Sequence, residues 1–243
     1  MIALPSFITE PQPLSAHLWI ADVGLLADAP VAHACDSLLN RDERKRNCRF
    51  RRMEDRRLDL LTRAVVRSTL SSFADVDPRD WRFETDANGR RRVAEPPTDG
   101  LHFSASHAGT LVACVVARGP AIGVDVERVD PGAIVPQALA IEEQGSLRPD
   151  SPDTFFSYWT LREAHAKAMG TGLADDTRTS WFELTGDHGA TLYEHGGPAT
   201  GWWFHRLIPG AGHVLAVAMQ CDPGTAPVLT HHDWAAEFRS GAE

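Results

Sequence analysis

Between residues 54 and 73, apolar side chains fall at Leu58, Leu61, Val65 and Val66, a 3.6-residue stripe that predicts an amphipathic helix. A second helix is expected over 153–169, closed by Gly170-Thr171-Gly172, a stop signal of the kind helix C-termini use. After each comes a turn-rich region, at 86–89 and 95–100 in the first half and 185–201 in the second, read as loops joining short antiparallel strands. The runs Ala108-Gly109-Thr110-Leu111-Val112-Ala113-Cys114-Val115-Val116 and Ala211-Gly212-His213-Val214-Leu215-Ala216-Val217-Ala218-Met219 share one pattern of small and apolar residues, and both read as hairpin-linked buried strands. This internal repeat, with Arg118-Gly119-Pro120 at its joint, predicts an α+β chain of two similar lobes, each a helix packed on a small antiparallel sheet. The expected division is 1–118, 119–222 and a Pro-containing tail over 223–243. A cleft between the lobes is the natural ligand site.

Composition adds bounds. A chain of 243 residues with 43% apolar content buries a real core. Apolar runs such as 111–117 are far shorter than the roughly 20 residues a bilayer requires, so no membrane association is expected. The first residues have no basic start and are interrupted by Pro5, Glu10, Pro11 and Pro13, which argues against a signal peptide and for a cytoplasmic protein. Cys35, Cys48, Cys114 and Cys221 are scattered, so neither a disulfide framework nor a zinc site is implied. His231-His232 is read as part of a solvated tail.

The net charge of −9 is unevenly spread. Residues 41–67 hold eleven Lys or Arg against five acids, a segment of +6 that leaves −15 for the remainder. Such a compact patch argues against nucleic-acid binding, which requires a broad basic face, and suits either a small polyanion or a solubilising helix face. Arg supplies 22 of the 24 basic residues, the only lysines being Lys45 and Lys167. A Lys amid so many arginines hints at a site for an amine that can give up a proton.

The candidate chemistry lies in two short segments. In Ile122-Gly123-Val124-Asp125-Val126-Glu127 the apolar and acidic residues alternate, so a strand buries Ile122, Val124 and Val126 and projects both carboxylates from the other face. In the run from Trp159 to Gly170, Glu163 and Lys167 lie one helical turn apart. Each segment alone also fits a plainer reading, the wet face of a sheet and an exposed ion pair. Together, Gly-φ-Asp-φ-Glu followed some 30 residues later by Trp159-x-x-Arg162-Glu163-Ala164-x-x-Lys167-x-x-Gly170-x-Gly172-Leu173 resembles the signature of the Sfp-type 4′-phosphopantetheinyl transferases.

The resemblance covers roughly residues 36–220 and implies that family's pseudo-twofold fold. By carry-over, the basic stretch from Asp42 to Arg56 reaches coenzyme A phosphates, with Arg46 the leading candidate. Asn88-Gly89-Arg90 is similar to a Gly-Lys-Pro segment at the nucleotide end of the cofactor, with Arg90 for Lys and Arg91 for Pro. Phe103-Ser104-Ala105-Ser106-His107 resembles Phe-Asn-[Ile/Leu]-Ser-His, with Ser104 for Asn, and implies that Ser106 and His107 hold the 3′-phosphate region. Arg162 replaces a more usual Lys, a mild change if its role is phosphate contact. The stretch 137–143 lacks the family's aromatic pair before an acidic turn, a departure in the carrier-facing region.

What the resemblance implies is transfer of 4′-phosphopantetheine from coenzyme A to a serine of an apo acyl or peptidyl carrier protein, by a monomer that uses Mg²⁺. Asp125, Glu127 and Glu163 would be the metal ligands, Glu163 also the general base, and Lys167 the group that meets the departing 3′,5′-ADP. Arg46, Gly89, Arg90, Ser104, Ser106 and His107 would hold coenzyme A, with Asp125, Glu163 and Lys167 at its diphosphate. A Mg²⁺-dependent nucleotide pyrophosphate hydrolase and a non-catalytic coenzyme A or carrier-binding module remain the alternative classes.

Overall fold

The computed structural model describes residues 14–240 except 88, 99, 149, 173–178, 195 and 211. In the first lobe, β1 (Ser15–Asp22) leads to α1 (Ala29–Leu38), α2 (Arg41–Asn47) and α3 (Met53–Ser71), then to the hairpin of β2 (Arg82–Thr85) and β3 (Arg91–Glu95) and to β4 (Leu101–Ala108) and β5 (Leu111–Arg118). The second lobe runs through β6 (Ile122–Arg128), α4 (Ile141–Gln144), α5 (Pro152–Met169), β7 (Ser180–Thr185), β8 (Gly189–Glu194), β9 (Gly197–Pro198), β10 (Trp202–Leu207) and β11 (His213–Gln220). A strand β12 (Val228–Asp233) and a helix α6 (Trp234–Ser240) close the described chain.

The two sheets have the orders β12-β1-β5-β4 and β6-β11-β10-β8-β7, with β9 on β8 and β2-β3 apart. The triplets β1-β5-β4 and β6-β11-β10 correspond, as do α3 and α5, so the α+β repeat is present as expected. Every pairing is antiparallel except β1 with β12. Gly109 and Gly212, at matching points of the repeated runs, both have positive φ (56° and 68°), which an L side chain rarely adopts. Ala211 of the second run lies outside the described residues, as does Leu173 of the helix motif.

Three apolar layers explain the unbroken apolar runs. Val112, Cys114 and Val116 face α3 in one core, while Val214, Ala216 and Ala218 face α5 in another. The alternate residues Leu111, Ala113, Val115, Leu215, Val217 and Met219 meet Ile122, Val124 and Val126 between the sheets. β5 and β11 are thus covered on both faces, so their sequences do not alternate.

Three expectations are corrected. The residues read as a solvated tail pair with β1 and pack Trp234 (2% exposed) and Phe238 into the first core. Trp234 donates to Ser68 Oγ (2.8 Å), and Glu237 accepts from the Trp19 indole (2.8 Å) and bonds His232 Nδ1 (2.6 Å). His232 therefore stacks on Trp19 (4.3 Å) and is not a tail residue in water. The loop expected over 185–201 contains β8 and β9. The acidic face of β6 is not a wet face, because α5 covers it.

Candidate active site

Gly123 governs the approach of α5 to β6. A Cβ built there would lie 2.0 Å from Ala164 O and 2.6 Å from Ala168 N, so only glycine lets the helix backbone settle on the strand. Asp125, two residues on, points to the same face. It is 3% exposed, and its Oδ1 accepts from Lys167 Nζ (2.6 Å) and Ser106 Oγ (2.8 Å). Lys167 also donates to Ser106 Oγ (2.9 Å). Asp125 Oδ2 is buried and has no hydrogen-bond partner among the described residues.

Burial pushes the Asp125 carboxyl up, opposed by the Lys167 ammonium and the two hydrogen bonds. The Glu127 carboxyl is also raised, first by burial and then by the charge of Asp125, while the Trp159 indole bonds its ionised form. Glu163 is raised by burial and by Asp125, against Lys167. These mutual effects place three acids in one field, although among the described residues no three carboxylate, imidazole or thiol groups are gathered into a ready metal cage.

A cleft of about 410 Å³ adjoins this group, lined by Gly89, Arg90, Ser104, His107, Glu163 and Lys167 among others. Walls from both lobes form it, and Asp125 and Ser106 are joined to it through Lys167. Arg90 donates from Nη1 to Ala168 O (2.9 Å), a cation on the last turn of α5, where the helix dipole favours one. Ser104 Oγ accepts from Val124 N–H (3.1 Å) and so stitches β4 to β6. His107 has its pKa lowered, first by desolvation and also by Lys167. Gly89 has φ 84°; its neighbour Asn88 lies outside the described residues. Glu127 and Arg46 do not line this cleft, and Arg46 is exposed on α2.

Two residues differ in setting from what the resemblance implied. Ser106 is bonded to Asp125 and Lys167, so its hydroxyl is spent at the acid–amine pair. Arg162 is 5% exposed and unable to meet a phosphate in the cleft, because Glu143 grips its Nε (3.1 Å) and Nη2 (2.7 Å) and Ser180 O accepts from it (2.9 Å). Glu143 is 0% exposed and also accepts from Phe182 N–H (2.7 Å) and Ala140 N–H (3.0 Å). This ion pair ties α4 and β7 to α5 one residue before Glu163. Sequence reasoning missed Glu143 and the closeness of approach at Gly123, although a glycine in the middle of a strand is a sign of close backbone contact.

Comparison with known proteins gives the family. Residues 121–218 match the 4′-phosphopantetheinyl transferase superfamily, and residues 30–118 match the family described as 4′-phosphopantetheinyl transferase, N-terminal. The chain is 30% identical to the 4′-phosphopantetheinyl transferase HetI of Nostoc sp. (strain PCC 7120), over 84% of this chain and 86% of the relative. It is 29% identical to the 4′-phosphopantetheinyl transferase Sfp of Bacillus subtilis (strain 168), over 62% and 70%. With a phosphopantetheinyl transferase of Thraustochytrium sp. it shares 24% identity over 86% and 80%. The chain belongs to the 4′-phosphopantetheinyl transferase superfamily. Its activity is that of the family, transfer of phosphopantetheine from coenzyme A to a carrier protein. No helix among the described residues is long and apolar enough to cross a membrane.

Proposed function

We propose that the cleft binds coenzyme A with its diphosphate beside Asp125, Glu163 and Lys167, and that a serine of an apo acyl or peptidyl carrier protein attacks there. The observation that carries this reading is Asp125, whose Oδ1 is held by Lys167 and Ser106 while its buried Oδ2 has no hydrogen-bond partner among the described residues. An oxygen lone pair left in that state costs about 1–3 kcal/mol unless a ligand meets it. With Glu127 and Glu163 it makes a hard-oxygen donor set, which suits Mg²⁺ in chemical type. When bound, that ion would neutralise charge on the diphosphate.

Glu163 takes the proton from the serine hydroxyl. Its raised pKa makes the carboxylate a stronger base than a free Glu, closer in pKa to the working pH. The serine Oγ forms a bond to the phosphorus next to the pantetheine, and the bond from that phosphorus to the bridging oxygen breaks. Lys167 Nζ meets the charge that collects on the departing 3′,5′-ADP, and Asp125 and Ser106 keep the ammonium in place. Arg46, Gly89, Arg90, Ser104 and His107 are assigned to binding the rest of coenzyme A. One chain supplies both walls of the cleft, which supports action as a monomer.

The test uses intact mass of an apo carrier incubated with the protein, coenzyme A and Mg²⁺. The wild type should add one phosphopantetheine, and Glu163→Gln should lower turnover by roughly 10²-fold or more while coenzyme A still binds. Wild-type turnover by that variant would remove Glu163 from the role of base, and no adduct on any of several carriers would refute the assignment.

A further inference from the structure

We infer that Arg91 is a specificity residue for coenzyme A, seated on the Phe83 ring and holding the 3′-phosphate monoester at the nucleotide end of the cleft. The inference rests on the coenzyme A reading above and goes beyond it, because the family pattern has Pro at this position, which brings no charge.

Position is the first ground. Arg91 lines the active-site cleft and also a second cleft of about 410 Å³ that includes Asp86, Arg92, Thr98 and His102. Arg90, Arg91 and Phe103 are common to both. Glu163 and Lys167 line only the first cleft. A ligand whose diphosphate lies beside them therefore brings its other end to Arg91 as it passes from one cleft to the next.

Charge is the second. Glu43 accepts from Arg63 Nη1 (3.0 Å), Arg67 Nε (2.8 Å) and Asn40 N–H (3.2 Å), and Asp59 accepts from Arg63 Nε (2.9 Å) and Asn47 (2.9 Å). Each acid is thus already hydrogen-bonded by an arginine. Arg91 Nη2 stands 4.0 Å from Glu43 Oε1, beyond hydrogen-bond distance. Arg46 acts on the same guanidinium from α2. Four guanidiniums, of Arg46, Arg63, Arg67 and Arg91, thus face two carboxylates, an excess of two positive charges. Arg92 is already paired with Glu84 (2.7 Å) and adds no net charge here, while Arg90 is turned toward Ala168 O on α5. A phosphate monoester carries about −1.5 to −2 at neutral pH because its second pKa is about 6, whereas each phosphate of the diphosphate bridge carries one charge. The monoester is the better complement.

Geometry is the third. The Arg91 guanidinium lies 4.8 Å from the Phe83 centroid, and Phe83 is fixed in turn by the edge of Phe103 (5.6 Å) and by Arg67 over its ring (5.2 Å). A planar cation stacked this way keeps its N–H edge free for an anion and loses little rotamer entropy on binding. Burial and the neighbouring arginines lower the Arg91 pKa, the direction expected of a cation among cations.

Titration calorimetry of the full chain with coenzyme A and with 3′-dephospho-coenzyme A separates the possibilities without any carrier. Arg91→Met, which keeps the stack on Phe83, should weaken coenzyme A binding roughly 10- to 100-fold and leave the dephospho ligand within about twofold. Arg91→Lys should fall between Met and wild type, because an ammonium supplies charge but no fork. Equal weakening of both ligands by Arg91→Met, or of neither, would overturn the assignment. A wild-type chain that binds neither ligand would instead remove the coenzyme A reading on which it rests.

Discussion

Replacing Gly123 by Ala should damage the site without touching any group in it. The new Cβ would lie 2.0 Å from Ala164 O, where ordinary contact begins at 3.4 Å, so α5 must retreat by about 1.4 Å or the β6 backbone must yield. The obstructing atoms are helix backbone, with Ala168 N at 2.6 Å behind the first, so no side-chain rotation relieves the clash. Overpacking of this kind costs typically 1–3 kcal/mol, and here it falls on the interface that sets Lys167 Nζ 2.6 Å from Asp125 Oδ1. A misplacement of about 1 Å at reacting groups costs on the order of 10²-fold in rate. Urea unfolding of Gly123→Ala should give a lower midpoint, and carrier modification followed by intact mass should slow by roughly that factor. A variant with wild-type midpoint and wild-type turnover would show that the close approach of helix to strand is not what assembles the site.

Two further outcomes concern the C-terminal segment. Trp234→Ala should cost roughly 3–5 kcal/mol in urea unfolding, because the indole is 2% exposed and bonds Ser68 across the first core; a loss below about 1 kcal/mol would return the segment to the status of a tail. His17, bonded to His232 (2.9 Å), has its pKa lowered to about 4, first by burial and then by His232. Between about pH 6.5 and 4 the unfolded chain therefore binds a proton that the folded one refuses, so stability present above pH 6.5 is lost as pH falls, on the order of 2 kcal/mol after allowance for partial exposure. His17→Gln should flatten that slope in urea midpoints measured across the window, and an unchanged slope would assign the loss elsewhere.

Local sequence carried the two long helices because their signals are local. The stripe at Leu58, Leu61, Val65 and Val66 placed the first within two residues of Met53–Ser71, and Gly170, left-handed at φ 70°, ends the second. Asp125 and Lys167 could be assigned to one site because their two segments together resemble a known family signature. Arg162 shows the limit. Its residue type fits a phosphate or a carboxylate equally, and only the fold brings Glu143 to it. The same holds for Ser106, whose hydroxyl has no directional preference until Asp125 arrives from another sheet.

The sequence by itself determined the repeat, the α+β class and the acid and amine motifs, since each depends on residues close along the chain. Tertiary structure alone decided that the acidic face of β6 is covered too, where α5 rests on Gly123 and how the last strand returns to β1. Those outcomes depend on contacts between residues such as Trp19 and Glu237, 218 positions apart, and no pattern within either segment specifies its partner.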